Sequence, residues 1–398
     1  MDDCGEIFSW ISSFAAVVAV SLLWFPRRST RWSVYSSCTS FRKHAQMPLQ
    51  RQTLINWILV FFLVASVAVA AWFRVVDSGE TAVVRYPKRV MGTVCTLACV
   101  VERGDEAKAE AALLEVEKEI HRLEGLFSSW LTHSEVSELN AAKAGRSVSL
   151  SIETFAVLVS ARTAFDETGG AFDVTCRPLV TLWRKAGDEG RLPTPEEIAQ
   201  AREASSWKGF ALGPKGIEKK RTSASVDLGG IAKGAVIDRA IELLRKGNFI
   251  GGLVDIGGDL RCFGTQPGGK PFEAEIPNPF GKNPFKVRLT NQAICTSGDY
   301  ARYTEIEGAR YSHIIDPRTG RALEESPSVT VVAPTAEQAD IWATALSVLG
   351  PEGFRRLPKG VEALIIRPEG GLDKTAGFVL RETRDDAPTK EQRGAELR

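Results

Sequence analysis

The stretch SVDLGGIAKGAVIDRAIELLRKG, residues 225–247, predicts the end of a strand, a glycine turn and then a helix. Four apolar residues of this helix fall at spacings of one, three and four on one face, and they are Ile237, Ala240, Ile241 and Leu244. The next segment, GGLVDIGGDLRCFG at 251–264, has apolar residues on both sides of a glycine pair and is typical of a hairpin. A helix that alternates with hairpin strands indicates an α+β fold.

Segments on both sides of this stretch repeat the mixture. β-branched residues from 83 to 101, interrupted by Gly92, predict a strand or hairpin. Thr194 begins a capping box with proline at the first helical position, and SVTVVA from Ser328 predicts a strand that leads into a helix at Thr335. Two more helices are predicted, one with Leu113, Val116, Ile120 and Leu123 on its apolar face and one at 152–168 behind Ser151.

An uncharged run of twenty residues, LINWILVFFLVASVAVAAWF at 54–73, is long enough to cross a bilayer as a helix. We interpret it as a retained anchor because no obvious small-residue cleavage site is present. Residues 1–53 contain a weaker apolar run at 7–25 and a basic segment without acidic residues at 26–53, which predicts a cytoplasmic location. The sequence leaves open whether 7–25 also spans the membrane and whether translation starts at Met47.

This topology sets the expected location of the rest of the chain. The folded domain, expected at 83–375, follows the anchor and would lie on the periplasmic, extracytoplasmic side of the inner membrane. Residues 381–398 form a charged tail that we expect to be frayed.

Charge and cysteine content exclude two classes of function. Fifty Lys and Arg against 49 Asp and Glu give a net charge of +1, which lacks the basic excess that nucleic-acid binding needs. The seven cysteines have no paired ligand spacing, which argues against a metal cluster. Cys95 and Cys99 are expected to be buried thiols.

The glycine turn at 227–234 is a candidate anion site. Backbone amides and the positive end of the following helix can meet an anion there, and Lys233 adds a mobile positive charge. A glycine-rich turn can equally be a tight corner without a ligand, so this segment alone does not decide the function.

Two other places carry residues suited to chemistry. Asp340 and Thr344 lie four apart on one face of the helix that begins at Thr335, where both can reach one hard cation such as Mg²⁺. A half-exposed polar stripe is the alternative. His313, one of four histidines, can act as a base or can simply bond the backbone at a strand end. For Asp173 and Asp259, turn geometry is an adequate explanation.

Taken together, these segments resemble the FAD:protein FMN transferase family, also called the ApbE family and formerly known as thiamine-biosynthesis lipoproteins. The resemblance covers roughly residues 87–370. Its motifs stand in family order: MGT at 91, FSSW at 127, SELN at 137, GGAFDVT at 169, DLGGIAKG at 227, GGD at 257, TSGDYARY at 296, YSHIIDPRTG at 311 and ADIWATALSVLG at 339. The implied fold is a two-lobed α+β domain with mixed, largely antiparallel sheets flanked by helices.

The resemblance also implies the site residues. FAD, the substrate, would be held by Met91, Trp130, Ala171, Phe172, Asp173, Asp227 and Lys233. Mg²⁺ would be bound by Asp340, Thr344 and the backbone oxygen of Gly230, and His313 matches the family's base. Two positions depart from the pattern: Trp130 stands where many relatives have tyrosine, and Arg177 stands where many have glycine.

The implied reaction is a phosphoryl transfer. Mg²⁺ and Lys233 would neutralise the pyrophosphate of FAD, His313 would activate a threonine or serine hydroxyl of an acceptor protein, and AMP would leave. A membrane anchor favours a subunit of a membrane redox complex as the acceptor, because confinement raises its effective concentration. The alternatives are a FAD pyrophosphatase that releases FMN and AMP, and a flavin-binding protein without turnover.

Overall fold

The computed structural model describes residues 79–87, 90–213, 216–281, 283–298 and 303–381. The predicted basic N-terminal region, the predicted anchor at 54–73 and the tail after Arg381 lie outside these residues. No helix in the described ranges has the length and apolar character needed to cross a membrane. The described residues all belong to one compact unit, so the two expected lobes do not form separate units.

The described residues contain strands of two to eight residues. In chain order they are β1 Glu80–Arg85, β2 Cys95–Glu102, β3 Ser147–Val148, β4 Phe210–Gly213, β5 Gly216–Lys219, β6 Gly251–Ile256, β7 Asp259–Gly264, β8 Phe272–Ile276, β9 Phe285–Leu289, β10 Ala293–Ser297, β11 Tyr303–Ile306, β12 Ala309–Ser312, β13 Ile315–Asp316, β14 Arg321–Ala322, β15 Ser328–Ala333, β16 Glu362–Ile366 and β17 Leu372–Lys374. Eight of them form one sheet in the order β1-β2-β6-β7-β10-β15-β16-β17.

All pairings in this large sheet are antiparallel. The predicted hairpin at 251–264 is confirmed as β6 and β7, which are joined by Gly257 and Gly258 with φ of 69° and 92°. Two successive positive φ angles are the backbone of the tight hairpin turn that glycine favours. The predicted strand or hairpin at 83–101 is also confirmed, as β1 paired with β2.

Helices occur throughout the described chain. They are α1 Glu106–Phe127, α2 Glu135–Ala141, α3 Ile152–Thr168, α4 Arg177–Glu189, α5 Pro195–Ala204, α6 Ala232–Arg245 and α7 Ala336–Leu349. The predicted caps form: Ser151 accepts the Thr154 N–H, and Thr194 begins a complete capping box with Glu197. Thr335 accepts the Gln338 N–H at the start of α7.

Helices α1, α6 and α7 cover one face of the large sheet. Helix α1 packs on β1 and β2, α6 on β6 and β7, and α7 on β10 and β15. The predicted apolar faces are confirmed, since Leu113 and Ile120 of α1 and Ile237 and Leu244 of α6 are fully buried. Each such burial stabilises the fold by about 1.5–3 kcal/mol, so this layer holds the main core.

The opposite face of the sheet is covered by the β8–β9 hairpin. Its Phe272, Ile276 and Leu289 share a second buried cluster with sheet residues such as Val100 and Leu364. A third cluster lies around Leu179 and Trp183 of α4, which pack with residues of β11, β13 and β14. The α+β fold with antiparallel sheets is therefore confirmed, and Cys95 and Cys99 are buried free thiols as expected.

Helices α6 and α7 approach each other unusually closely at Gly234. A Cβ atom at this position would lie 2.4 Å from the Ala336 carbonyl oxygen and 2.6 Å from the Glu337 Cα. From the next turn of α6, the Asp238 carboxylate accepts the N–H groups of Ala336 and Glu337 at 2.8 and 2.9 Å. This carboxylate therefore binds the positive end of α7 and fixes the register of the two helices.

Gly234→Ala is expected to destabilise the protein by about 1–3 kcal/mol, because the added methyl group meets main-chain atoms that cannot rotate away. Gly125→Ala is the matched control, since this glycine is also helical and a Cβ there meets nothing within 4 Å. The control should be neutral or stabilising by up to about 1 kcal/mol. Urea unfolding of both variants tests this, and equal effects would contradict the close approach.

Candidate active site

The segment before the glycine turn is not the strand end that we predicted. Residues 224–228 have no regular structure, and their main chain bonds to groups other than a neighbouring strand. Asn140 makes two hydrogen bonds to Val226, donating to its carbonyl at 2.9 Å and accepting its N–H at 2.7 Å. The Asp227 N–H donates to the Val174 carbonyl at 2.7 Å. The SELN motif, through Asn140, thus positions the start of the glycine turn.

The three predicted metal-binding residues converge where α6 begins. Asp340 is buried, and its Oδ2 accepts the Gly234 N–H at 3.2 Å. A Cβ on Gly230 would lie 3.0 Å from the Thr344 Oγ1, so the Gly230 main chain faces that hydroxyl. The structure therefore brings a carboxylate, a hydroxyl and a glycine backbone together from two elements far apart in sequence.

These groups fit a magnesium ion in chemical type. All are oxygen donors, and Mg²⁺ usually takes few protein ligands and leaves other positions to water and phosphate. No group of three or more His, Cys, Asp or Glu with metal-binding geometry occurs in the described part of the chain. A cation held by one carboxylate, one hydroxyl and one carbonyl agrees with that composition.

The charge balance around Lys233 also suits a cation. The Lys233 ammonium pairs with Asp259, a residue for which the sequence had indicated only a turn role. Burial lowers the pKa of Lys233, but the charges of Asp259 and Asp340 outweigh burial and raise it above its ordinary range. For Asp340, burial raises the pKa, and the positive charge of Lys233 opposes that rise. The cluster therefore combines two buried carboxyl groups with one ammonium, and a cation bound there would favour the charged form of both carboxyl groups.

Two motifs that are distant in sequence meet beside this cluster. The Gly257 N–H donates to the Val94 carbonyl at 2.9 Å. A Cβ on Gly257 would lie 2.8 Å from the Thr93 Oγ1, so the MGT and GGD motifs pack against each other. Met91, which is half-buried and has a φ of 48°, lies two residues before Thr93.

Asp259 also joins a third motif to this cluster. Its carboxylate accepts the Thr296 N–H at 3.0 Å, so the start of the TSGDYARY motif and Lys233 share one partner.

The GGAFDVT motif follows the C-terminus of α3. Gly169 follows that helix with φ of 65°, and the helix ends at residue 168 as predicted. Ala171 and Phe172 are buried, and Phe172 belongs to the main core. Asp173 is buried as well and accepts the N–H and the hydroxyl of Thr175 at 2.8 and 2.7 Å.

A cavity of about 620 Å³ opens beside Asp173. Its lining includes Trp207 and four cationic side chains, those of Arg162, Arg202, Lys208 and Arg318. Burial raises the pKa of Asp173 to about 6, although its bonds to Thr175 and the charge of Arg162 oppose that rise. The volume is within the range of small-molecule sites.

Trp130, a predicted FAD residue, is 68% exposed in the loop between α1 and α2, so its ring does not belong to the apolar core. The Arg184 guanidinium lies 4.5 Å from the centre of its ring.

Asp227 lies near this loop. Its carboxylate accepts the Gly229 N–H at 2.8 Å and the Ser129 hydroxyl at 3.3 Å. Arg177 contacts both the Asp227 carboxylate and the Ser129 carbonyl at 3.4 Å. The two departures from the family pattern, at 130 and 177, therefore meet at one loop.

His313, the predicted base, has an exposed side chain in the short connection from β12 to β13. It precedes the turn at 317–320, whose Gly320 carbonyl accepts the Trp183 indole N–H at 2.9 Å. Residues 299–302 of the TSGDYARY motif lie outside the described residues.

Comparison with known proteins decides the family. The family model of the ApbE family matches residues 91–365. The chain belongs to the ApbE family. The FAD:protein FMN transferase of Klebsiella pneumoniae (strain 342) is 33% identical over 283 residues, covering 68% of this chain and 81% of the relative. The enzyme of the same name from Treponema pallidum (strain Nichols) is 32% identical over 315 residues, covering 73% and 86%.

Solved structures of the ApbE family share the fold. The apo form of the flavinyl transferase ApbE of Pseudomonas stutzeri has a TM-score of 0.66 and 30% identity, covering 74% of this chain and 94% of that one. The flavin transferase ApbE of Vibrio cholerae also has a TM-score of 0.66, with 28% identity and coverage of 74% and 97%. This member of the ApbE family is therefore an enzyme, a flavin transferase.

A pH-dependent stability is expected from Asp173. Because its pKa is higher in the folded protein than the ordinary 3.8, the unfolded chain binds fewer protons between pH 4 and 6. The stability that Asp173 contributes therefore falls as pH rises through this range, by an amount on the order of 2–3 kcal/mol. Asp173→Asn keeps an oxygen acceptor for Thr175 and removes the titration.

Urea unfolding of the wild type and Asp173→Asn at pH 4.5, 5.5 and 7.5 measures this contribution. The variant should gain stability relative to the wild type as pH rises, with little further change above pH 7. A stability difference that is the same at all three values would contradict the raised pKa.

Proposed function

We propose that this enzyme cleaves FAD at its pyrophosphate in a Mg²⁺-dependent reaction, attaches FMN to a threonine or serine hydroxyl of an acceptor protein and releases AMP. The observation that carries the proposal is the convergence of Asp340, Thr344 and the Gly230 backbone at the start of α6. The names of the relatives support FAD as donor and a protein as acceptor.

In this proposal, Gly230, Asp340 and Thr344 would hold Mg²⁺, which would supply charge neutralisation for the pyrophosphate oxygens. Lys233 adds to that neutralisation only in part, because Asp259 already balances its charge. The N-terminus of α6 contributes the positive end of the helix dipole. Positioning and electrostatics are the main means of catalysis in phosphoryl transfer.

His313 is the proposed base. The proton of the acceptor hydroxyl moves to an imidazole nitrogen as that oxygen forms a bond to the phosphorus of the FMN half. The bond from this phosphorus to the bridging oxygen breaks, and that oxygen leaves with AMP. The exposed side chain of His313 supports this role, because an acceptor protein must reach the base from solvent.

The remaining predicted residues are assigned to FAD. Met91, Trp130 and Asp227 would contact its flavin half near the protein surface. Ala171 and Phe172 would offer main-chain groups, because their side chains lie in the core. The cavity beside Asp173, with its cationic lining, would take the AMP half.

The location is also part of the proposal. The uncharged run at 54–73 supports a transmembrane anchor with the enzyme on the periplasmic side of the inner membrane. A membrane redox-complex subunit is the acceptor class that such an anchor would favour, since both proteins would be confined to one surface.

Asp340→Ala should lower flavin transfer about 100-fold or more, since it removes the only charged group among the three proposed metal ligands. Thr344→Val keeps the shape but removes the hydroxyl, and it should raise the Mg²⁺ concentration needed for half-maximal rate about tenfold. Thr344→Ser keeps the hydroxyl and is the matched control, expected to be close to wild type.

The assay mixes the protein with FAD, Mg²⁺ and the extracytoplasmic domain of a redox-complex subunit, and it measures flavin fluorescence on the denatured acceptor and free AMP. Equal amounts of labelled acceptor and AMP support the transferase. AMP with free FMN and no labelling of the acceptor would favour the pyrophosphatase. Bound FAD without either product would favour a flavin-binding protein.

A further inference from the structure

The loop at 128–130 holds an indole in an unusual setting. Trp130 is 68% exposed, although burial of a side chain of this size normally stabilises a protein. Its main chain is ordered by Ser128, whose hydroxyl accepts the N–H groups of Trp130 and Leu131 at 3.2 Å. An aromatic ring that an ordered loop holds open to solvent has a flat face on which a planar ligand can stack.

Two side chains of helix α4 contact successive residues of this loop, Ser129 and Trp130. Arg177 and Arg184 are seven positions apart, so their side chains leave the same side of the helix. Arg177 donates to the Ser129 carbonyl, and the Arg184 guanidinium lies over the Trp130 ring at 4.5 Å from its centre. One ring face is thus covered by a cation, and the exposure of the residue means that the other face is open.

Arg177 also joins the loop to the glycine turn. Its guanidinium contacts the Asp227 carboxylate at 3.4 Å, and Ser129 donates its hydroxyl to the same carboxylate at 3.3 Å. The side chains of Arg177 and Asp227 are 26% and 25% exposed, so both charges are largely removed from water. An arginine so placed fixes the distance between the exposed indole and the turn that begins α6.

We propose that Arg177 and Arg184 are positioning residues for the flavin ring of FAD: they hold Trp130 so that its open face stacks on the isoalloxazine ring, at a set distance from Asp227. The inference rests on the proposed function. The flavin half is assigned to this loop, and not the adenine, because the transferred half has to be accessible to an acceptor protein. The cation behind the indole also polarises the ring that the flavin would meet.

Ligand binding to the full-length protein tests the inference without turnover. EDTA is present to remove metal ions, FMN and FAD binding are followed by flavin fluorescence anisotropy, and AMP binding is measured by calorimetry. Arg184→Ala and Arg177→Ala should each raise the Kd for FMN and FAD about three- to tenfold and leave the Kd for AMP unchanged. Arg184→Lys, which keeps a cation, should lie between Arg184→Ala and wild type.

A matched control and a double-mutant cycle separate positioning from a general loss of stability. Lys185→Ala removes the neighbouring cation of α4, which pairs with Glu189, and should bind flavin like wild type. In a Trp130→Ala background, which itself weakens flavin binding, Arg184→Ala should cause no further loss. With Mg²⁺ and acceptor restored, Arg184→Ala should raise the KM for FAD with kcat within about twofold of wild type.

Three results would overturn the inference. Wild-type flavin affinity in both alanine variants would show that the arginines do not position the ring. An equal loss with and without Trp130 would show that they act elsewhere, and a loss confined to AMP would assign the loop to the adenine half. In each case FAD would still bind, whereas failure of wild-type protein to bind FAD at all would reject the proposed function itself.

Discussion

The close contact between α6 and α7 at Gly234 is the constraint on which the rest of the site depends. Gly234 has no Cβ atom, so the Ala336 carbonyl can lie directly against it. In this position the Gly234 N–H donates to the Asp340 carboxylate. One turn later, Asp238 binds the first N–H groups of α7. The two helices thus meet in a single register, and that register places Thr344 opposite Gly230.

Charge is arranged around this contact at a cost to stability. Asp340 and Asp259 are both buried, and the Lys233 ammonium pairs with Asp259 and also feels the charge of Asp340. Removing these charges from water is unfavourable, and one ammonium balances only one carboxylate. A bound divalent cation would offset part of this penalty, because its charge and its preference for oxygen ligands suit buried carboxylates.

The sequence motifs have two different physical roles in the structure. Some supply groups that can face a ligand, such as Asp340, Thr344 and the glycine turn. Others supply the supports behind those groups: Asn140 of SELN holds Val226, and Gly257 of GGD packs on Thr93 of MGT. In this second class one partner of each contact is a main-chain group, so these motif residues stabilise the geometry of the site.

Sequence by itself determined the elements whose signals are local. The caps at Ser151 and Thr194, the apolar faces of α1 and α6, the glycine hairpin at 257–258 and the placement of Asp340 and Thr344 on one helix depend on residues within a few positions of each other. Helical and strand periodicity record such relations directly. Motif order also identified the family, because the matching segments span most of the domain.

Only the tertiary structure decided which distant groups meet. Pattern suggested a strand before the glycine turn, but the Asn140 side chain takes the place of a neighbouring strand there. The sequence predicted only a turn role for Asp259, whereas in the structure it pairs with Lys233. No residue near Arg177 in sequence indicated that it contacts Asp227 or the Trp130 loop. Such pairings form between residues 26 to 86 positions apart, where chain packing sets the distance and local propensity carries no record of it.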